Sequence, residues 1–374
     1  MSIDRPDFPT LNRRVFVAAA AALPIMAAAD PIIAAAAQEP PTLQDMAGRA
    51  GMLFGSAVWA ARLADDPDYR VAIARQCGVV TPEAELNWSS LEPERGRFDF
   101  TGADSIAAFA KATSKTMYGH SLLWHLSIPE WGAKALAGER DWALVRRFLS
   151  SVVPRYRDIA HGWDVVNEPI EPGDGRADGL RRSPYLDAFG PGYIERALAE
   201  THVLDPAAKL YVNDYGFDYA IAAEDQRRKS MLALLERLLK AGAPIAGLGV
   251  QAHLDLTKQA HFSPIVLRDF LNDVGSLGLE IRISEMDVKE ADTAQSFEQR
   301  DRAVAEAVRA YLEVALANRA VGSVTCWGLS DRYSWLNTGE ILNRGLPLDR
   351  DFYIKPVFNV IRLMLGQRAG LADA

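Results

Sequence analysis

Two glutamates stand where predicted strands end, and their carboxyl groups could carry acid–base chemistry. Glu168 ends the apolar segment that begins at His161, and Glu285 ends the segment that begins at Leu279. In a parallel α/β barrel the carboxyl ends of the strands lie on one face, so carboxylates distant in sequence can meet there. Paired carboxyl groups indicate glycoside hydrolysis, in which one protonates the leaving oxygen and the other attacks the sugar or activates water.

Polar or aromatic side chains follow most of the other predicted strands as well. Besides the two glutamates, the strand ends carry Glu83, His120, Asn167, Asn213, Asp214, Gln251, His253, Asp287 and Trp327. Any one of them could cap a loop, but their shared position on one rim predicts a functional site. His253 and Asp287 come from adjacent strand ends, so we expect them to orient Glu285 as a nucleophile. Taken alone, Glu285 could instead belong to a structural ion pair.

Tryptophans beside these polar groups predict a saccharide-binding cleft. Aromatic faces stack on the C–H surfaces of pyranose rings, while polar neighbours fix the hydroxyl groups. Trp124, Trp327 and Trp335 fit this pattern, and the first two each follow a strand end. For Trp88 and Trp163 we expect a place in the hydrophobic core.

Short apolar runs alternate with amphipathic stretches along the chain, which predicts parallel strands joined by helical crossovers. The eight predicted strands are Met52–Ser56, Val79–Glu83, Thr116–His120, Gly162–Val166, Lys209–Asn213, Gly247–Gln251, Glu280–Ser284 and Ser323–Trp327. Helical spacing of apolar residues is clearest at Ser105–Thr113, Trp142–Tyr156, Glu224–Ala241 and Gln299–Ala317. Eight such units predict an α/β fold, a (β/α)8 TIM barrel that forms a single catalytic domain.

Composition excludes some classes of partner. The chain has 374 residues, 49% of them apolar, and a formal net charge of −8. Its basic residues are scattered rather than clustered, which argues against a nucleic-acid surface. Cys77 and Cys326 lie in different predicted elements without metal-ligand spacing, so we expect two reduced, buried thiols rather than a disulfide.

The first residues have the layout of an export signal. Arg13 and Arg14 precede the apolar stretch Ala18–Ala29, which predicts a twin-arginine signal peptide over residues 1–37 and a catalytic domain over 42–370. The stretch is too short and too rich in alanine for a convincing spanning helix, although a retained anchor is the alternative. We therefore expect a periplasmic or secreted protein without stable membrane insertion.

From about Gly51 to Met364 the chain resembles the family 10 glycoside hydrolases, which are typified by endo-β-1,4-xylanases. The matching segments are Phe54–Ala57, Thr81–Glu83, Gly119–His125, Trp163–Glu168, Tyr211–Tyr215, Gly247–His253, Ser284–Val288, Trp327–Gly328, Asp331, Ser334–Trp335, Asp349 and Lys355–Pro356. Their order and spacing agree with the family throughout the domain.

The resemblance implies a retaining mechanism with Glu168 as acid/base and Glu285 as nucleophile. It also implies that Asn167 contacts the sugar 2-hydroxyl and that His253 and Asp287 support the nucleophile. The substrate-binding residues that we expect are Glu83, Asn87, His120, Trp124, Asn213, Gln251, Trp327 and Trp335. The substrate would be a polysaccharide or oligosaccharide; we expect no cofactor or metal, and a monomer.

Four positions depart from the family pattern. The family usually has Asn and Lys where this chain has Ala84 and Asn87, and Ser-Gln where it has Leu126 and Ser127. These positions help to hold sugars on the non-reducing side of the cleavage point, and each lost hydrogen bond could cost about 1 kcal/mol. We therefore expect an altered subsite beside the cleavage site, and with it xylan or another glycan as substrate.

Two other classes of protein share some of these features. In a metal-dependent hydrolase His120, His125 and His253 would have to gather at the barrel mouth, but the first strand lacks a His-x-His pair. A non-catalytic glycan-binding barrel would have no need for both Glu168 and Glu285. The irregular segment Pro169–Tyr193 would form a cleft wall with Arg181 or Arg182 facing substrate, or else a solvated loop.

Overall fold

A computed structural model describes residues 40–339 and 341–370 of the chain. The predicted signal peptide, residues 1–37, lies outside these described residues. One compact unit begins at Pro41.

Ten strands form the sheet of this unit. They are β1 Leu53–Val58, β2 Val79–Pro82, β3 Thr116–Gly119, β4 Leu123–Trp124, β5 Ala160–Asn167, β6 Lys209–Asp214, β7 Gly247–Val250, β8 His253–Asp255, β9 Glu280–Lys289 and β10 Val321–Cys326. Eight of them pair in parallel in the order β1, β2, β3, β5, β6, β7, β9, β10, and β10 pairs again with β1. The predicted (β/α)8 barrel is therefore confirmed.

The predicted strands are all present, within two residues of their predicted bounds except at one end. β9 does not stop at Ser284 but continues to Lys289, so Glu285 lies inside a strand rather than after it. The cause is the short strand β8, which was not predicted and which pairs with Asp287–Lys289 beyond the end of β7. The other unpredicted strand, β4, extends the barrel beside Val166 and Asn167 in the same way.

Helices surround the barrel. They are α1 Leu43–Arg49, α2 Ala60–Asp65, α3 Pro67–Gln76, α4 Trp88–Leu91, α5 Thr101–Ala112, α6 Glu130–Glu139, α7 Ala143–Tyr156, α8 Pro184–Phe189, α9 Tyr193–Leu204, α10 Ala222–Lys240, α11 Pro264–Ser276, α12 Phe297–Ala315 and α13 Pro356–Arg368. The helical spacing of α7 buries Val145, Phe148, Leu149 and Val152 on one face. None of the helices in the described ranges is both long and apolar enough to cross a membrane.

The core contains the side chains that were expected there. Trp88, Trp163 and both free cysteines are buried, and burial raises the pKa of the Cys77 thiol to about 12. Trp163 fits inside the barrel only because its neighbour in β3 is Gly119, where a Cβ atom would lie 2.0 Å from the indole ring. This close approach of β3 and β5 brings their carboxyl ends together at the site.

Candidate active site

A cleft of about 570 Å³ opens at the carboxyl ends of the barrel strands. This volume is in the range of small-molecule and sugar sites. Its lining contains all the predicted site residues except Asn213 and Asp287, namely Glu83, Asn87, His120, Trp124, Asn167, Glu168, Gln251, His253, Glu285, Trp327 and Trp335. The two glutamates thus share one cavity, although 117 positions separate them in the sequence.

Glu168 follows β5 directly and is fixed by backbone contacts from two sides. Its N–H donates to the carbonyl of Asn213 at 2.7 Å, and its own carbonyl accepts from Arg181 Nε at 2.8 Å. Its φ of 55° lies in the left-handed region, which costs a non-glycine residue about 1 kcal/mol. The side-chain carboxyl accepts one hydrogen bond, from Gln251 Nε2 at 3.2 Å.

Glu285 is held more tightly than Glu168. Its Oε1 accepts from Asn213 Nδ2 at 2.6 Å, and its Oε2 lies 3.2 Å from His253 Nε2. Only 5% of the residue is exposed. Each carboxyl oxygen of Glu285 is thus held by a separate side chain.

His253 is oriented by a second carboxylate. Its Nδ1 lies 2.8 Å from Asp287 Oδ1, and Asp287 Oδ2 accepts from the indole of Trp335 at 2.6 Å. Burial alone would lower the pKa of His253, but Asp287 and Glu285 outweigh it and raise that pKa well above its ordinary value. As an imidazolium, His253 donates from both ring nitrogens, to Asp287 and to Glu285.

The prediction for Asn213 needs correction. We expected it to contact substrate, but it is completely buried and does not line the cleft. Its side chain points into the barrel, in the space left by Gly249, where a Cβ atom would lie 2.1 Å from Asn213 Oδ1. From there its amide donates to Asn167 Oδ1 at 2.8 Å as well as to Glu285, and its Oδ1 accepts from Ser284 Oγ at 2.6 Å. Asn213 therefore links the residue beside Glu168 to Glu285.

A buried polar chain leads from the cleft floor into the barrel. His120 Nδ1 lies 3.0 Å from Asp164 Oδ2, and Asp164 Oδ1 accepts from Arg282 Nη1 at 2.8 Å. The guanidinium of Arg282 lies over the ring of Tyr118, 3.4 Å from its centroid. Burial would lower the pKa of His120, but Asp164 and the charge of Glu285 together raise it.

The whole barrel domain of the chain matches the model of one protein family. The profile of glycosyl hydrolase family 10 matches residues 42–363. The chain belongs to glycosyl hydrolase family 10.

Related proteins agree with this assignment. The chain is 31% identical over 290 residues to endo-1,4-beta-xylanase C of Phanerodontia chrysosporium, a match that covers 76% of this chain and 68% of the relative. It is 32% identical over 329 residues to an endo-1,4-beta-xylanase of Agaricus bisporus, covering 85% and 93%. Among solved structures, xylanase 10B from Thermotoga petrophila in complex with xylobiose superposes with a TM-score of 0.78 at 27% identity, covering 88% of this chain and 99% of that one.

Several cleft residues of this family 10 enzyme were not predicted from the sequence. They are Trp59, Tyr215, Gly216, Asp218, Tyr219, Glu224 and Lys258. Trp59 directly follows β1, so the rule that placed site residues at strand ends would have found it. Asp218, Tyr219, Glu224 and Lys258 lie beyond the end of β6 or on helices and loops after it, where no such rule applies.

Two further carboxyl groups line the cleft of this enzyme. Burial raises the pKa of Glu83 to about 7, against the opposing effects of a hydrogen bond with Trp59 and the charge of Arg62. Burial and the neighbouring Glu224 raise the pKa of Asp218 to about 7 as well. Both groups can therefore exchange protons near neutral pH, although neither is needed for the roles of the central pair.

The segment Pro169–Tyr193, for which a cleft wall with a substrate-facing arginine was one prediction, places no arginine in the cleft. Neither Arg181 nor Arg182 lines the cleft: Arg181 donates to the carbonyl of Glu168, and the backbone N–H of Arg182 donates to Asp174 at 2.7 Å. The segment is also less irregular than expected, because it contains helix α8 and a 3₁₀ turn at Pro172–Asp174. Arg181 thus positions Glu168 from behind rather than facing substrate.

Histidine and carboxylate side chains of the described residues form no group of three that could hold a metal ion. His120 and His253 each pair with a carboxylate through Nδ1, and His253 also contacts Glu285 through Nε2. The two histidine side chains therefore pair with carboxylates, and His253 orients Glu285.

Proposed function

We propose that this family 10 hydrolase cleaves β-1,4-linked polysaccharide, xylan or a related glycan, by double displacement with retention of configuration. Glu168 serves as acid/base and Glu285 as nucleophile. The observation that carries the proposal is the unequal setting of two glutamates in one cleft. Glu285 has a donor on each oxygen, at 2.6 and 3.2 Å, whereas Glu168 has a single contact at 3.2 Å and a second oxygen left for proton transfer. The names of the relatives, which are xylanases, support the substrate class.

In the first step the Glu285 carboxylate attacks the anomeric carbon while the Glu168 carboxyl gives its proton to the glycosidic oxygen. The bond to the leaving sugar breaks as an ester bond to Glu285 forms. The leaving sugar departs as a neutral alcohol, because Glu168 has supplied the proton. His253 and Asn213 hold the attacking carboxylate in place before this step, which saves reorganisation in the transition state.

In the second step Glu168, now a carboxylate, takes a proton from water. The water oxygen attacks the anomeric carbon and displaces Glu285, which returns to its carboxylate form. Two inversions give net retention. Asn167, held by Asn213 at 2.8 Å, is placed to bind the 2-hydroxyl of the reacting sugar through both steps.

The proposal includes an altered subsite beside the reacting sugar. Ala84 and Leu126 present methyl groups to the cleft, and Leu126 is 68% exposed. The hydroxyl of Ser127 is directed to the carbonyl of Trp124 at 3.2 Å and the residue is buried, so it offers nothing to a sugar. We infer that this subsite makes fewer polar contacts than the usual family 10 pattern, and that a branched or non-xylan β-glycan competes with linear xylan as substrate.

Digestion of a panel of β-linked polysaccharides tests both parts of the proposal. The expected result is cleavage of at least one β-1,4-glycan, with the β-anomer as first product in ¹H NMR. An α-anomer would contradict the mechanism, and no hydrolysis of any glycan would favour a binding protein. Brisk and preferential cleavage of unbranched xylan would contradict the altered subsite. Unchanged activity in a chelator would exclude a metal-dependent reaction.

We also propose that residues 1–37 form a twin-arginine signal peptide, that residues 42–370 form the exported catalytic domain, and that the mature protein is a periplasmic or secreted monomer. The arginine pair at Arg13 and Arg14 supports the route of export. Replacing both with lysine should abolish export, and accumulation of mature protein outside the cytoplasm despite the replacement would contradict this route.

A further inference from the structure

Trp59 occupies a position on the cleft rim that follows from the strand order. It comes directly after β1, which lies between β10 and β2 in the barrel. The residues after those two neighbouring strands include Trp335 on one side and Glu83 on the other, and all three line the cleft. Trp59 therefore lies where the catalytic centre passes into the altered subsite.

The indole ring of Trp59 is held in place from behind. Helix α2 begins at the next residue, so Arg62 lies one turn away, with its guanidinium 4.9 Å from the centroid of the Trp59 ring. Arg62 Nη1 in turn donates to the carbonyl of Tyr333 at 3.0 Å. Glu85 fixes the start of the helix by accepting from the N–H of Ala60 at 2.6 Å. A ring supported in this way loses little freedom when a ligand stacks on it.

The cleft that Trp59 lines also contains features that suit a sugar ring. Ala84 and Leu126 line the same cleft and are apolar, which suits the C–H face of a pyranose. The indole nitrogen of Trp59 interacts with the Glu83 carboxyl group. Among the described residues, the buried indole nitrogen of Trp124 and the buried Oδ1 of Asn87 have no hydrogen-bond partner. Asn87 is itself only 7% exposed. One donor and one acceptor are thus left in the cleft beside apolar side chains, a combination that a hydroxylated ring can satisfy.

We propose that Trp59 is a stacking platform for a further sugar unit of the glycan chain and that it determines specificity at the altered subsite. Stacking replaces part of the hydrogen bonding that Ala84 and Leu126 cannot supply. This inference rests on the proposed function, because it requires the cleft to bind a chain of β-linked sugars. Trp59 would then be the residue that makes the enzyme prefer long glycan substrates to short ones.

Kinetics on two ladders of linear β-1,4-linked oligosaccharides, xylose-based and glucose-based, from the disaccharide to the hexasaccharide, test the proposal. For Trp59→Ala we expect kcat/KM to fall about tenfold on the longest substrate, mainly through KM, and to change little on the shortest. Trp59→Phe should restore most of the loss because it keeps an aromatic face. Arg62→Met should give an intermediate loss. Tyr353→Ala, an exposed aromatic outside the cleft lining, is the matched control and should behave as wild type.

Three outcomes would overturn the inference. An unchanged or improved KM on long substrates in Trp59→Ala would show that the ring does not contribute to substrate binding. An equal loss on all chain lengths, not restored by Trp59→Phe, would indicate a structural role. Failure of the wild-type protein to cleave either ladder would overturn this inference, whereas the proposed function would be overturned only if the panel of polysaccharides were also left intact, so the two failures are distinguishable.

Discussion

Glu168 and Glu285 are the same residue type in one cleft, and what distinguishes them is the set of groups that hold each carboxyl. Glu285 receives a donor on each oxygen, from Asn213 and His253, whereas Glu168 receives only Gln251. An acid/base must gain and lose a proton during the cycle, and a nucleophile must begin as a carboxylate. The unequal settings of the two side chains therefore match the two roles assigned to them.

Replacing Glu168 with Gln should separate substrates by their leaving groups. A sugar leaving group needs the proton of Glu168, so we expect hydrolysis of oligosaccharides to fall about 10²- to 10⁴-fold. An aryl glycoside with a good leaving group should still give a fast burst of phenol, followed by slow turnover. Pre-steady-state kinetics measure this difference. Glu130→Gln, an exposed carboxyl outside the cleft lining, is the control, and an equal loss on both substrates would contradict the acid role.

The pH dependence of activity should depend on Asp287. Asp287 and Glu285 raise the pKa of His253, against burial, so Asp287→Asn should lower that pKa and move the alkaline limb of kcat/KM to lower pH. Because the folded-state pKa is raised, the ion pairs of His253 stabilise the fold fully below its unfolded pKa of about 6.5 and less as pH rises through the folded value. The stability lost in the variant should therefore be largest in acidic buffer.

Asp269→Asn, on the exposed surface, is the control and should leave the pH profiles of activity and of stability unchanged. An alkaline limb of kcat/KM that does not move in Asp287→Asn would contradict the role assigned to His253.

For single residues, the sequence predicted which residue types form the site but not which way each side chain points. Its strand-end rule placed Glu168, His253 and Gln251 at the site, because the rule depends only on chain order and parallel pairing. The same rule placed Asn213 in the cleft, whereas that side chain points into the barrel beside Gly249. Which way a strand-end residue points depends on the stagger between strands, and this is set by packing of distant segments rather than by local pattern.

Among the elements, the segment after β5 has the clearest effect on catalysis. Arg181 donates from Nε to the carbonyl of Glu168 and from Nη2 to the hydroxyl of Tyr215 at 3.0 Å, which ties the left-handed backbone of Glu168 to the next strand end. Only a planar guanidinium can make both contacts with one side chain in this geometry.

Arg181→Lys should therefore lower kcat about tenfold, since two hydrogen bonds of about 1 kcal/mol each are weakened, and should change KM less. The neighbouring Arg182→Lys is a matched control, because Arg182 bonds to Asp174 and lies off the cleft. Steady-state kinetics of the two variants, with circular dichroism to check the fold, decide the point. Equal effects in both variants would remove Arg181 from the catalytic account.

Element boundaries show where prediction from the sequence stops. All eight barrel strands were located, because buried parallel strands are continuous apolar runs bounded by polar residues. The short strands β4 and β8 were missed, since two or three residues carry no periodic signal of their own. They pair with the ends of β5 and β9, and the pairing of β8 extends β9 so that Glu285 lies inside a strand.

For the whole molecule, closure of the barrel involves both ends of the described chain. Helix α1 packs against β1 and against α13, and it buries Leu43, Met46 and Ala47 completely or almost completely. A protein that begins at Gln38 should therefore have the same melting temperature and activity as one processed naturally. A protein that begins at Gly51 loses this helix, which should cost about 3 kcal/mol or more and lower the Tm by several degrees. Differential scanning calorimetry of the two proteins measures the difference, and equal Tm values would contradict a structural role for α1.

The central claim is that Glu285 forms a covalent bond to the sugar in the cleft that it shares with Glu168. The direct measurement is to incubate the mature protein with a 2-deoxy-2-fluoro β-glycoside that carries an activated leaving group, and to locate the adduct by peptide mass spectrometry. This account predicts time-dependent inactivation and a single glycosyl ester on Glu285. An adduct on another carboxyl group of the cleft, such as Glu83 or Asp218, or inactivation without any covalent adduct, would contradict it.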